Sequence, residues 1–386
     1  MGKQQKSFQG LAGRLTPKKR RNLLYSIIAL TAFGIFLYFT EQGQTLGTYE
    51  VRVINLCAIY AILALSMNLI NGFTGQFSLG TAGFMAVGAY VTALLILPVQ
   101  TKTAVFYLEP IVPWLANVHW SGHGGFFCAL LVAGLVTAFI AFLIGFPVLR
   151  LKGDYLAIAT LGFSEIIRIV FTNTQSFTNG STGIKSIPNT ANLWWSFGSM
   201  CFFIIFMIRL MRTSYGRAFK CIRDDEVAAE SMGISLFKHK MLSFVISGFM
   251  AGIGGGLIAS VLGAITPLLF RFILAYDILL IVVLGGMGSI TGSIVGAFLI
   301  TIAKEWLRWM DGGFSLGFFE VPAIAGVRMV VFSALLMVVI LFFRRGLFGN
   351  REFSWDSLFR FIRNLPGNIV KLFNRIFHKT RKGAQT

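Results

Sequence analysis

"SYGRAFKCIRDDEVAAESMGI", residues 214–234, is a dense charged block set between two long apolar runs. The upstream run is WWSFGSMCFFIIFMIRLM (194–211) and the downstream run is MLSFVISGFMAGIGGGLIASVL (241–262). Each is long enough to cross a hydrocarbon core of ~30 Å as an α-helix. The charged block therefore reads as a loop at a membrane surface, joining two crossings. Short alternating segments, the mark of a membrane β-barrel, are absent from the sequence. The fold class that follows is all-α, a polytopic transmembrane helical bundle.

Working outward, comparable apolar runs fall at 23–40, 52–70, 77–97, 126–149, 155–172, 274–286, 289–303 and 324–343. That makes about ten spans, with broken or re-entrant segments near 71–80 and 285–292. The composition agrees: 55% of the 386 residues are hydrophobic and 13% are charged, where a soluble domain carries about 25% charged residues. The net charge of +19 is clustered. Residues 1–21, 209–240 and 344–386 hold 24 of the 34 Lys and Arg residues. Beside apolar spans such clusters mark cytoplasmic segments rather than a nucleic-acid surface, and anionic membrane lipids are natural contacts. Three regions follow: a basic cytoplasmic N-terminal segment (1–21), a transmembrane domain (22–347) containing the 212–240 loop, and a basic amphipathic cytoplasmic tail (348–386). Both termini are expected on the cytoplasmic side. The even span count this requires makes 274–303 two passages split at "GGMG" (285–288).

The block itself has the grammar of a short capped helix. Asp224, Asp225 and Glu226 open it, Val227-Ala228-Ala229 and Glu230 continue it, and Gly233 closes it. Arg217, Lys220 and Arg223 lie just upstream. It reads either as a solvated connector or as a rigid peg offered to a cytoplasmic partner. The two outer loops have their own alternatives. Residues 98–125 carry three prolines and Lys102; 173–193 is rich in Asn, Ser and Thr. Either is a solvated connector or a docking surface. Glycines at 248, 252 and 256, and at 288, 292 and 296, recur every four residues, a spacing that lets helix backbones approach.

Enzyme chemistry finds little support. There is no GxxxxGK[ST] phosphate loop and no GxSxG nucleophile turn. His119 and His123 have no carboxylate or cysteine companion, so no metal site is expected. The four cysteines are scattered. Within the spans, Glu165 and Arg168 sit three apart and pair on one helix face, and Asp154 reads as the N-cap of the 155–172 span. That leaves few unpaired intramembrane carboxylates for an ion-coupled carrier.

Several stretches together resemble the M-type permeases of branched-chain amino acid ABC importers. They are LSMNLINGFTGQFSLGTAGFMAVGAYVTALL (65–95), LRLKGDYLAIATLGFSEIIRIV (149–170), FTNGSTGI (177–184), the 214–240 block and VVLGGMGSITGSIVGA (282–297). The resemblance implies a permease with no cofactor of its own. ATP and Mg would be used by two cytoplasmic ATPase subunits, beside a homologous second permease and an extracytoplasmic amino-acid-binding protein, in a bacterial cytoplasmic membrane. It implies that Arg217, Arg223, Asp224, Asp225, Glu226, Ala229, Glu230 and Gly233 couple to the ATPases. The translocation path is expected at Gly75, Gln76, Ser78, Gly285, Gly286 and Gly288, with Thr160 and Glu165 lining it. The same architecture importing urea or short amides, and a stand-alone secondary transporter or channel, are the alternatives.

Overall fold

The computed structural model describes residues 47–308 almost continuously, 108 and 152 apart, with short pieces at 314–316, 319–321 and 330–334 and scattered residues elsewhere. The N-terminal segment 1–21, most of the 23–40 and 324–343 spans and nearly all of the 348–386 tail lie outside the described residues. The described elements that follow belong to one compact unit within residues 46–352.

Its principal helices are α1 (Thr48–Asn68), α2 (Thr81–Ile96), α3 (Gly122–Val148), α4 (Asp154–Asn173), α5 (Leu193–Arg212), α6 (Ser214–Asp224), α7 (Glu226–Ser231), α8 (Leu236–Leu262), α9 (Phe272–Gly285) and α10 (Ile290–Trp306). Five are long and apolar enough to cross a membrane: α1 with its continuation to Phe73, α3, α4, α5 and α8. Two shorter apolar helices, α2 and α9, join them. Thus the described residues hold a helical membrane bundle, and the 274–303 region is two helices broken at Gly286–Ser289. One small feature departs from all-α. Strands β1 (Phe314–Leu316) and β2 (Phe319–Val321) pair antiparallel, with Phe314 opposite Val321.

Burial separates centre from rim. The apolar windows of α1 and α8 are 78% and 72% buried, against 39%, 22% and 33% for α3, α4 and α5. The outer helices expose large apolar side chains, among them Leu135, Phe139 and Ile158. An exposed apolar face of that size suits a lipid solvent. Between the central helices backbone meets backbone. A Cβ on Gly88 of α2 would lie 2.0 Å from the Gly252 carbonyl oxygen of α8, and one on Gly255 would lie 2.0 Å from that of Met85. On another face of α8, Gly248 and Gly252 accept Ala141 and Thr137 of α3. The four-residue glycine spacing on α8 is therefore a packing device. The second set differs from expectation: Gly288 is not helical but sits in the α9–α10 turn, while Gly292 packs on Gly285.

Two further expectations change. Asp154 is the first residue of α4, and the N-cap position belongs to Gly153. Loop 173–193 is pinned to the bundle at several points while much of it stays exposed. Ile184 and Ile265 exchange both backbone bonds at 2.9 Å, Ile187 N donates to Gly263 O at 2.9 Å, and Ser260 Oγ accepts from Thr190 N and Ala191 N at 2.9 and 3.0 Å. Ile184 and Ile265 are fully buried. Part of a polar, Asn-rich loop can be buried here because remote groups, the Ile265 and Gly263 backbone and the Ser260 hydroxyl, satisfy it.

Candidate functional site

α1 ends in an unusual way. Its last turn, Leu69–Phe73, is a π-helical turn, so Asn71 projects where an α-helix would not place it. Asn71 closes the following loop on itself: its Nδ2 donates to Ser78 O at 3.2 Å and its Oδ1 accepts from Ser78 N at 3.1 Å. The chain between, Thr74–Leu79, is non-helical and largely buried. Gly75 adopts φ +74, a conformation that costs other residues energy. Leu79 N then donates to Thr160 Oγ1 at 3.0 Å, tying the break to α4. Gln76 is 3% exposed; its Nε2 reaches Ser243 Oγ of α8 at 3.5 Å, and its Oε1 has no partner.

The second break meets the first. Gly286 and Gly288 have φ +117 and +82. Asn68 spans the gap: Oδ1 accepts from Gly288 N at 2.8 Å, and Nδ2 donates to Ser289 O at 2.9 Å and to Ser293 Oγ at 2.7 Å. A Cβ on Gly72 would lie 2.4 Å from Gly288 N. Gly286 lies against Gly346 and Gly349, and Leu347 N donates to Leu284 O at 2.8 Å. Gly75, Gln76, Ser78, Thr160, Gly285, Gly286 and Gly288 therefore surround two adjoining breaks. Glu165 lies apart from this cluster. Its Oε1 accepts from Phe272 N at 3.0 Å, capping α9, and its Oε2 accepts from Arg168 Nε at 2.6 Å.

The charged block lies at the same end of the bundle as the two breaks. Thr213 Oγ1 accepts from Gly216 N at the start of α6. Asp225 accepts from Val227 N and Ala228 N at 2.9 and 3.0 Å at the start of α7. Gly233, at φ +80, ends the second helix. Among the expected coupling residues, Asp224, Asp225, Glu230, Gly233 and Arg217 are exposed. Ala229 is buried, and Glu226 pairs with Lys240 of α8 at 2.5 Å. Arg223 turns inward, with Nη1 3.4 Å from Gly72 O. Its direction was readable from spacing, since Phe219, Ile222 and Arg223 share one face of α6. Two prominent residues of the block were missed: Val227 is 75% and Met232 82% exposed. Exposed apolar side chains in a charged helix are the signal that marks them. Beside Gly233 a groove of about 590 Å³ is lined by Arg217, Lys238 and His239, among others.

At the opposite end, Tyr49 Oη donates to Glu305, and Arg308 donates to Tyr49 Oη at 3.2 Å. The 98–125 loop lies at that end as well. Lys102 is fully buried there, donating to Leu115 O at 2.9 Å and Val118 O at 2.5 Å; burial pushes its ammonium below the ordinary lysine value. His123 Nδ1 accepts from Trp195 Nε1 at 3.2 Å. No group of three or more His, Cys, Asp or Glu suited to a metal exists among the described residues.

Known proteins with related sequences add to this geometry. The chain is 37% identical over 293 residues to the high-affinity branched-chain amino acid transport system permease protein LivM of Salmonella typhimurium, covering 67% of this chain and 64% of that protein. It is 36% identical over 296 residues to LivM of Escherichia coli, covering 68% and 64%. LivH of Salmonella typhimurium, a permease protein of the same kind of system, is 25% identical over 339 residues, covering 82% of this chain and 97% of LivH. The matches thus span a little under two thirds of the two LivM proteins. No solved structure matches. The family model described as branched-chain amino acid transport system / permease component matches residues 49–341, from the start of α1 past the β-hairpin. This chain belongs to that permease family.

Proposed function

We propose that the chain is a transmembrane permease subunit of an ATP-driven importer for branched-chain or other hydrophobic amino acids. Separate ATPase subunits supply the energy through residues 214–240, and α7 is the element they grip. The observation that carries this reading is the block's construction. It is a rigid, capped pair of helices at the end of the bundle that holds both breaks, with Val227 and Met232 exposed for a partner and Arg223 turned into the bundle. Exposed apolar anchors rimmed by charge are what a docking helix needs. Movement of α7 would pass to α8 through Glu226–Lys240 and to the breaks through Arg223. The bundle would then alternate between inward-open and outward-open states. Similarity to both LivM and LivH supports a homologous second permease beside this one. An extracytoplasmic binding protein would deliver the solute to the end formed by loops 98–125 and 173–193.

The test is uptake of labelled leucine and labelled urea in cells with and without the gene, with ATP depleted in a parallel set. ATP-dependent leucine uptake that disappears with the gene is the expected result. Loss of urea uptake alone would keep the architecture and replace the substrate. In the Glu230→Lys, Gly233→Pro double variant, uptake should vanish while the protein remains in the membrane. Unchanged uptake there sinks the coupling role of α7.

A further inference from the structure

One side chain of the charged block reaches both breaks. Arg223 stands in the last turn of α6, just before Asp224, which ends that helix, and Asp225, which caps α7. Its guanidinium is held at its base by Asp224, whose Oδ1 accepts from Nε at 3.0 Å and from Nη2 at 2.8 Å. Its stem lies on Gly75: a Cβ there would be 2.8 Å from Arg223 Cγ and 3.0 Å from its Cα. Its tip reaches Gly72 in the first break and Gly288 in the second. Nη1 is 3.4 Å from Gly72 O and would be 3.1 Å from a Cβ on Gly288. Gly75 and Gly288 thus leave the room this side chain occupies, and Gly72 offers it a carbonyl.

We propose that Arg223 is a positioning residue, the strut through which displacement of α7 reaches both breaks at once. This deepens the importer reading and rests on it. A planar guanidinium suits the task. It is always charged, its fork is held in one plane by Asp224, and its donors meet carbonyls without needing a matching acid. The last turn of α6 also favours a cation there. Lysine would keep the charge but lose the fork, and alanine would leave the cradle empty. The Lys240–Glu226 pair moves α8 as a rigid body, whereas Arg223 bears directly on the non-helical segments at Gly75 and Gly288, where backbone can shift without breaking a helix.

The experiment uses the assembled complex, with its ATPase partners and binding protein, in liposomes. The readout is ATP hydrolysed per leucine carried, which a mere loss of folded complex does not move. Arg223→Ala and Gly75→Ala should each raise that ratio by about tenfold, the size of coupling expected between residues in direct contact. Arg223→Lys should fall between them and wild type. The double variant should be no worse than either single one, because both remove the same contact. A ratio unchanged in Arg223→Ala overturns the strut, as does a double variant whose effects multiply. Wild-type complex that carries no leucine overturns the importer reading, and the strut with it.

Discussion

Asn68 and Gly288 are separated by 220 positions in the chain, yet the Asn68 side-chain oxygen accepts the Gly288 amide at 2.8 Å. The same amide group donates to Ser289 O and Ser293 Oγ, so one buried residue satisfies three polar groups across two helix breaks. Ser289 O and Ser293 Oγ also bond each other, so Asn68→Leu orphans chiefly the Gly288 amide and should cost about 1–3 kcal/mol. Asn68→Asp should cost at least as much, because a carboxylate would face the Ser289 carbonyl. Thermal melting of the purified protein checks both.

Glu165 does two jobs at once, pairing with Arg168 and capping α9. The double exchange Glu165→Arg, Arg168→Glu restores an ion pair but sets a cation against the Phe272 amide. No rescue of uptake or melting temperature is therefore expected. Glu165→Gln keeps an acceptor and should lose less than Glu165→Ala, whose lost cap is worth about 0.5–2 kcal/mol. Equal losses in the two variants would refute the cap.

Gly88 and Gly255 should tolerate no side chain. Each added Cβ would lie 2.0 Å from a carbonyl oxygen of the facing helix, which cannot swing aside. Gly88→Ala and Gly255→Ala should each destabilise by roughly 1–3 kcal/mol. Gly162→Ala and Gly198→Ala meet nothing within 4 Å and should be neutral or stabilise by up to about 1 kcal/mol. The contrast within one melting series separates close packing from a general intolerance of mutation.

Lys102 gives a dependence on pH. Its folded pKa lies below its unfolded one, so between the two values the unfolded chain binds more protons. Its contribution to stability therefore rises as pH rises through that window, which ends at the ordinary lysine value. Lys102→Met should flatten the rise. It should also destabilise at neutral pH, since Leu115 O and Val118 O lose their donor. Melting temperature against alkaline pH for both proteins is the measurement.

What the sequence makes legible here is local. Apolar length marked the helices, the acids before Val227 and the glycine at 233 marked the ends of a short helix, and "GGMG" marked the break between α9 and α10. What stayed hidden depends on distant partners. Nothing near Glu165 points to an amide 107 positions away. The anchoring of loop 173–193 rests on Ser260 and Ile265, which no reading of the loop alone contains. Lys102 looked like one lysine in a solvent loop because the carbonyls that hold it only converge after folding. Asn71-Gly72 signals that the apolar run of α1 breaks near 71–80, but nothing in LINGF says that the break begins as a π turn.

That turn has a consequence for how this segment tolerates length changes. A π turn is an α-helix carrying one surplus residue. Removing one residue between Leu69 and Phe73 would let the α-helical ladder run on unbroken, and the chain would leave in nearly the same direction, since five π residues and four α residues turn through about the same angle. What would be lost is the bulge, and with it the offset that carries Asn71 to Ser78. A single-residue deletion here should therefore spare the course of the chain beyond Phe73 and cost the loop its clasp.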